Sequence, residues 1–316
     1  MRTSNEILAY AAILLGVFGH ATSEFVAVQT GVSGPEQSVW RFMLGGLGLI
    51  VVALAMADSR DLLTPLRERP VEIVLLSVFG MALAQLLFHW SLDFASVTQI
   101  ATLVTISPIL VVIFNWLLFK GQISTPKIVS GVGAFGGVVF LMTDGYLAEL
   151  AGRSGAIYGI LLALSCATIG AFYMVLVRPL ILQYGAIRMT TYTFAIGAVG
   201  LWLAVAGIWG IVVNPATLFE RPVGEAVAIL AMGFWNTTIA MVLWLWGLSA
   251  AKDIGRANYT FFFKPVIAAF LAYFILGQDI TLIQLLAIAV ICGCVLVEVF
   301  WDQLFGKPFS ATAHGD

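Results

Sequence analysis

Ten long apolar runs, broken by short polar links, account for nearly all of this chain. They cover residues 6–29, 38–57, 71–93, 96–119, 126–146, 155–177, 188–211, 223–249, 255–276 and 280–301. A helix needs about 20 largely apolar residues to span a bilayer, so each run predicts one transmembrane helix. The polar marks along the runs repeat. Trp90, Gly121, Gln122, Thr125 and Gly137 recur as Trp246, Gly277, Gln278, Thr281 and Gly293, each 156 residues later. One offset held over that distance predicts a duplicated five-helix unit, residues 6–146 and 155–301. An odd number of spans per unit sets the second copy upside down in the membrane. The expected fold is therefore all-α and polytopic: ten transmembrane helices as two inverted five-helix repeats, the architecture of alternating-access transporters.

Composition agrees with that pattern. Of 316 residues, 61% are hydrophobic and 10% charged, with mean hydropathy +1.02. Soluble domains carry about 25% charged residues, so this apolar surface belongs in lipid. The net charge of −2 gives no reason to expect a nucleic-acid partner. The first run is preceded only by Arg2 and leads into nine more, which reads as a retained span rather than a cleaved signal. With the N-terminus in the cytoplasm, eleven of the 15 Lys and Arg residues fall in inside segments, Arg153 and Arg221 fall outside, and Arg41 and Lys264 lie within spans. That positive-inside bias predicts both termini on the cytoplasmic side, the C-terminal one a short polar tail over 302–316.

Two cofactor-like patterns read more simply as packing. Cys292 and Cys294 are two apart on a helix and face different directions; with Cys166 they fit small-residue packing rather than a metal clamp. Gly131, Gly133 and Gly136 spell G-x-G-x-x-G inside the fifth run, where the strand and helix start required for dinucleotide binding are missing. Gly133 and Gly137 instead form a G-x-x-x-G helix contact. No Walker sequence occurs, and no cofactor is expected.

The candidate chemistry lies in ionisable residues within the spans, where burial is costly and usually functional. His20 and Glu24 share a face of the first helix, and His89 and Asp93 repeat the i, i+4 spacing in the third. At 1.5 Å per residue, Glu24 and His89 each lie about 26 Å above the cytoplasmic face and His20 about 21 Å, while Arg41 lies about 6 Å below the outer face. These groups can share one polar layer. The structural alternatives are a snorkelling Arg41, a packed His20, and an Asp93 that caps a helix end. Glu24, flanked by apolar sequence, is the strongest functional candidate of the four. Glu298, near the end of the last helix, reads as an interfacial anchor.

Lys264 is the second strong signal. It lies about 13 Å from the cytoplasmic face, beside Pro265, and the Ser107-Pro108 step is its counterpart in the first repeat. Prolines at matching places predict paired helix breaks that free carbonyls and mark a binding site. Asn236 and Gln85 are candidate hydrogen-bonding partners of a substrate. Trp90, Trp235, Trp244, Trp246 and Tyr259 are candidate walls of an amphipathic pocket. Trp and Tyr also collect at membrane interfaces.

The chain resembles the drug/metabolite transporter superfamily, in its EamA-type ten-helix branch. The resemblance rests on Phe25-Val26-Ala27-Val28, on Arg41-Phe42 opening the second helix, on the Pro108 helix running to Gly121-Gln122, and on the Pro265 helix running to Leu276-Gly277-Gln278. It covers roughly residues 6–300 and implies two inverted repeats around a central pocket that moves small metabolites, often outward. Family members commonly have Gly-Glu where this chain has Gly-Gln, and a Trp-Gly step where it has Gly19-His20.

The expected function is a secondary transporter, not an enzyme, that exports a small polar or zwitterionic, amino-acid-like metabolite and is proton-linked or facilitative. Lys264 would attract a substrate carboxylate, while Glu24 with His20 would attract an amine or exchange a proton. His20, Glu24, Arg41, His89, Trp90, Asn236, Tyr259 and Lys264 form the expected substrate site, with helix breaks at Pro108 and Pro265. Expected partners are the substrate, membrane lipid and, in the proton-linked form, protons, with the chain a monomer or homodimer. The competing reading is an integral-membrane metal-binding protein or enzyme that uses His20/Glu24 and His89/Asp93 as ligands. A passive channel would need a ring of repeated pore residues, which the chain lacks.

Overall fold

The computed structural model describes residues 2–95, 100, 103–104, 106–120, 125–143, 156–251, 257, 259–276, 281–301 and 304. The expected repeat marks Gly121, Gln122, Gly277 and Gln278 lie outside them, as do Arg153, Lys252, Arg256 and residues 305–316 of the tail. Glu24, Pro108, Pro265 and Glu298 lie in helices, but their side chains are outside the described set.

Ten main helices follow one another: α1 Arg2–Ala27, α2 Gly34–Ala55, α3 Pro70–Ser91, α4 Ser107–Phe119, α5 Thr125–Thr143, α6 Ala156–Tyr184, α7 Ala186–Trp209, α8 Val223–Ala250, α9 Phe263–Leu276 and α10 Leu282–Val299. Six of them (α1, α2, α3, α6, α7 and α8) are long and apolar enough to cross a membrane; α4, α5, α9 and α10 carry shorter apolar segments. No strand occurs among the described residues. A short helix, Thr64–Glu68, precedes α3, and a 3-10 turn, Pro215–Glu220, precedes α8.

The helix contacts have a simple order. The main pairs are α1 with α8, α3 with α6, α2 with α7 and α5 with α10. Further contacts join α1 to α9, α6 to α4, α2 to α8 and α7 to α3. Exchanging each helix for the one five places away leaves this set unchanged. Close approach depends on small residues, as lipid-embedded helices require. A Cβ on Gly16 of α1 would come within 2.7 Å of the Trp244 Cβ of α8, and one on Gly247 of α8 within 2.6 Å of the Ala9 carbonyl of α1. Gly133 and Gly137 do the same for α5 and α10. A Cβ on Gly133 would meet Cys294 Sγ at 2.7 Å, and one on Gly137 would meet Ile291 at 2.8 Å. The glycine motif in the fifth span is thus a packing surface, and Cys294 is its counterpart.

Two features depart from the apolar pattern. The sixth span was expected to end at residue 177, but α6 continues through Pro179 to Tyr184. Buried Val177, Leu180 and Tyr184 pack with Ile73, Met189 and Tyr192, and this apolar contact holds the helix past its proline. Helices α3 and α8 also widen into π-helix over Leu76–Ala82 and Ala231–Ile239. The two segments correspond at the repeat offset. A π turn adds a residue without changing the apolar pattern, so sequence alone gives no sign of it.

Candidate functional site

A cavity of about 1040 Å³, including its mouth, lies within the bundle. Its polar lining comes from five helices: His20 and Ser23 of α1, Arg41 of α2, Gln85 of α3, Ser107 of α4 and Lys264 of α9. Met81, Phe88, Met174, Phe194, Met241, Trp244 and Phe261 supply most of the remaining wall. The result is an apolar chamber with two cationic side chains facing it. Charge in such surroundings is costly unless it is held by hydrogen bonds or aromatic faces.

Arg41 is held in this way. It is 5% exposed. Its Nε donates to Thr237 Oγ1 of α8 at 3.0 Å and its Nη1 to Gln85 Oε1 of α3 at 3.0 Å. Ser23 Oγ and His89 Nε2 each lie 3.4 Å from the same Nη1. The π segment of α8 contributes directly, because Thr237 also donates to the Met232 carbonyl five residues back, at 2.9 Å. Its hydroxyl therefore donates along the helix and accepts from Arg41. The guanidinium faces inward, so the snorkelling alternative does not describe it.

Lys264 is 6% exposed. Its Nζ lies 5.7 Å from the Phe88 ring centroid and 5.9 Å from that of Phe261. His20 stands edge-on to Trp244, with centroids 6.0 Å apart, and lies 6.1 Å from Phe261. The described helix of α9 begins two residues before Pro265, and α4 begins one residue before Pro108. Each proline thus sits in the first turn of a helix, where its missing N–H goes unneeded. The two cavity-lining residues beside them, Ser107 and Lys264, stand at these starts.

The other expected site residues sit elsewhere. His89 is fully buried behind Arg41, and its Nδ1 lies 2.9 Å from Ser38 Oγ. Ser38 Oγ donates to the Gly34 and Gln85 carbonyls, at 3.2 and 3.3 Å. That assigns the ring proton to Nδ1 and leaves Nε2 to accept from Arg41. Asn236 is fully buried outside the lining, and its amide donates to the Gly19 carbonyl at 2.6 Å and to Thr22 Oγ1 at 2.9 Å. Trp90 packs edge-on against Trp209 at 5.0 Å, near the end of α3. Tyr259 is buried with Phe262 against Ala134. Glu24 lies one turn beyond His20 on α1, with its side chain outside the described set. Asn236→Ala is expected to lower the melting temperature of purified protein by a few degrees, corresponding to about 1 kcal/mol, and to leave ligand affinity unchanged.

Asp93 accepts the Gly34 amide of α2, at 3.0 and 3.1 Å to its two carboxylate oxygens. It caps the neighbouring helix rather than its own. Among the described residues, no three His, Cys, Asp or Glu side chains come together as a metal site. Phe88, Phe261 and the three methionines line the cavity without having stood out in the sequence, because a lone apolar residue in an apolar span carries no signal of which way it faces; Cys166, read from the sequence as a packing residue, lines it too.

Comparison with known proteins gives this geometry a context. The model of the EamA-like transporter family matches residues 7–143 and 157–299. The uncharacterized transporter YyaM of Bacillus subtilis is 26% identical over 287 residues, covering 89% of this chain and 90% of its own length. The uncharacterized inner membrane transporter YicL of Salmonella typhimurium is 23% identical, covering 91% of this chain and 92% of its own. A solved crystal structure superposes with a TM-score of 0.71 at 20% identity, over 97% of this chain and 100% of that one, which shows a shared fold.

Proposed function

Starting from the fact that this chain belongs to the EamA-like transporter family, a family of polytopic membrane proteins, we propose that it carries a small amino-acid-like metabolite, with a carboxylate and an apolar body, by alternating access. The observation that carries this reading is that Arg41 and Lys264 face one largely apolar cavity. A buried carboxylate needs charge-assisted donors, and these two cations provide them. Three methionines give the wall a soft, adaptable shape for an apolar side chain. Two inverted five-helix repeats form the moving parts, a reading supported by the exchange symmetry of the helix contacts and by the paired π segments. Both termini are cytoplasmic, the membrane is a bacterial inner membrane, and net transport is outward.

His20 and Glu24 form the second pole of the site. Glu24 attracts the substrate's amine or exchanges a proton, and proton and substrate compete there when access alternates. Reconstituted Glu24→Gln protein is expected to lose the pH dependence of transport between about pH 5 and 8. Unchanged transport across that range would remove Glu24 from the mechanism and leave facilitated diffusion.

The test of substrate class is a thermal-shift series on detergent-purified protein. Leucine and phenylalanine, their carboxylate-only analogues and their amine-only analogues serve as probes. Stabilisation by the amino acids and the carboxylates is expected. Equal stabilisation by the amines, or stabilisation by the amines alone, would contradict the reading.

A further inference from the structure

One end of the bundle is closed by an ionic network that joins the two halves of the chain. Arg221, just before α8, donates through Nη2 to Glu36 Oε1 of α2 at 2.7 Å. The same oxygen accepts Trp40 Nε1 at 3.1 Å, and the guanidinium lies 5.9 Å over the Trp40 ring. Arg221 Nη1 reaches Glu225, in the first turn of α8, at 3.7 Å. The Arg221 and Glu36 side chains are 21% and 18% exposed, so the bridge is largely shielded from water. The turn between α1 and α2 is held against it. Gly31, at φ +68°, sits so close to Glu225 that a Cβ there would meet a carboxylate oxygen at 2.6 Å.

Beneath the network lies a sealed layer. Gln37, Ser38, Trp40 and His89 are each at most 5% exposed. Gln37 Nε2 ties the α1–α2 turn, donating to the Ala27 carbonyl at 2.9 Å and the Val32 carbonyl at 3.0 Å. The cavity begins below this layer, at Arg41 and Ser23. Arg221–Glu36 ties a first-half helix to the start of a second-half one, whereas Arg69–Glu72 joins the bend before α3 to its own first turn.

We propose that the Glu36–Arg221 bridge is the outer lock of the carrier. It rests on the alternating-access reading and on the positive-inside orientation, which puts this end outside. For the cavity to open outward, the starts of α2 and α8 must separate, and the bridge must break. Its charges then enter water and stay poised to re-form the short contact. A partly shielded charge-assisted bond gives such a lock two discrete states. Deleting either charge removes the closed state's advantage and shifts the population outward.

The native Cys166 lines the cavity and serves as the reporter. In a Cys292→Ala, Cys294→Ala protein it is the sole thiol, since the chain has three cysteines. The probe is sulfonatoethyl methanethiosulfonate, which does not cross membranes, applied to intact cells and separately to inside-out vesicles. Arg221→Gln and Glu36→Gln are each expected to raise labelling from outside about tenfold, with the double variant no faster than the faster single one. Labelling from inside is expected to fall or hold. Unchanged outside labelling in both single variants would overturn the lock and leave the carrier reading intact. A rise on both faces alike would mean general loosening and would also overturn the lock. Labelling from neither face in any variant would sink the alternating-access reading and the lock together.

Discussion

Lys264→Ala protein will lose its affinity for carboxylate ligands by about 30- to 150-fold, corresponding to about 2–3 kcal/mol. The ammonium is buried at 6% exposure between the faces of Phe88 and Phe261. In that setting water cannot screen it, and a carboxylate that enters the cavity exchanges hydration for a direct charge-assisted bond. Truncation leaves the incoming carboxylate without that donor in apolar surroundings, which is the expensive side of the exchange. Arg41 makes up only part of the loss, because two of its N–H groups are already given to Thr237 and Gln85. Isothermal titration against the carboxylates that stabilise the unaltered protein measures the effect. Lys264→Arg, which keeps the charge but changes its shape, should recover part of the affinity. Equal affinity in the alanine variant would remove Lys264 from the site.

Gly34→Ala will cost about 3 kcal/mol of stability and lower the melting temperature by roughly 5–10 °C. Gly34 opens α2 against the end of α3, and an added Cβ would fall on the His89 carbonyl and within 2.7 Å of Trp90 Cα. These neighbours are backbone atoms, which cannot turn aside as a flexible side chain can. The same glycine donates its amide to both oxygens of Asp93. Moving it apart therefore breaks a helix cap as well as a close contact. Gly224→Ala, where an added Cβ meets open space, is the control and should melt with the unaltered protein. A Gly34→Ala protein with an unshifted melting temperature would show that the α2–α3 seam has slack the structure does not display.

The sequence made much of this molecule legible, for a physical reason. In lipid, apolar runs must become helices, and a charge within a run needs a partner or a cavity. Hence the ten helices follow the ten runs, and His20, Arg41 and Lys264, distant in sequence, face one space. What failed to show was anything set by the angle of one helix against another. Asn236 looks like a substrate ligand at its depth, yet its amide ties α8 to α1. Trp90 and Tyr259 suit a pocket wall by chemistry, yet they pack against Trp209 and Phe262. Asp93 shares the His89 spacing but caps α2. The π segments, which turn Thr237 toward Arg41, leave the apolar pattern unchanged and so stay invisible to it. Arg221 reads as an isolated outside charge, and only the fold sets it 2.7 Å from Glu36.

Carriage of a carboxylate requires a cavity that is electropositive to an incoming ligand. Cys166, within its wall, tests this without knowledge of the substrate. The measurement is the ratio of its modification rates by sulfonatoethyl and trimethylammonioethyl methanethiosulfonate in purified Cys292→Ala, Cys294→Ala protein, compared with the same ratio for a free thiol. The expected result is a shift toward the anionic reagent of about tenfold, and a return toward the free-thiol ratio in the Lys264→Gln variant. A ratio that matches the free thiol, or favours the cation, would contradict it.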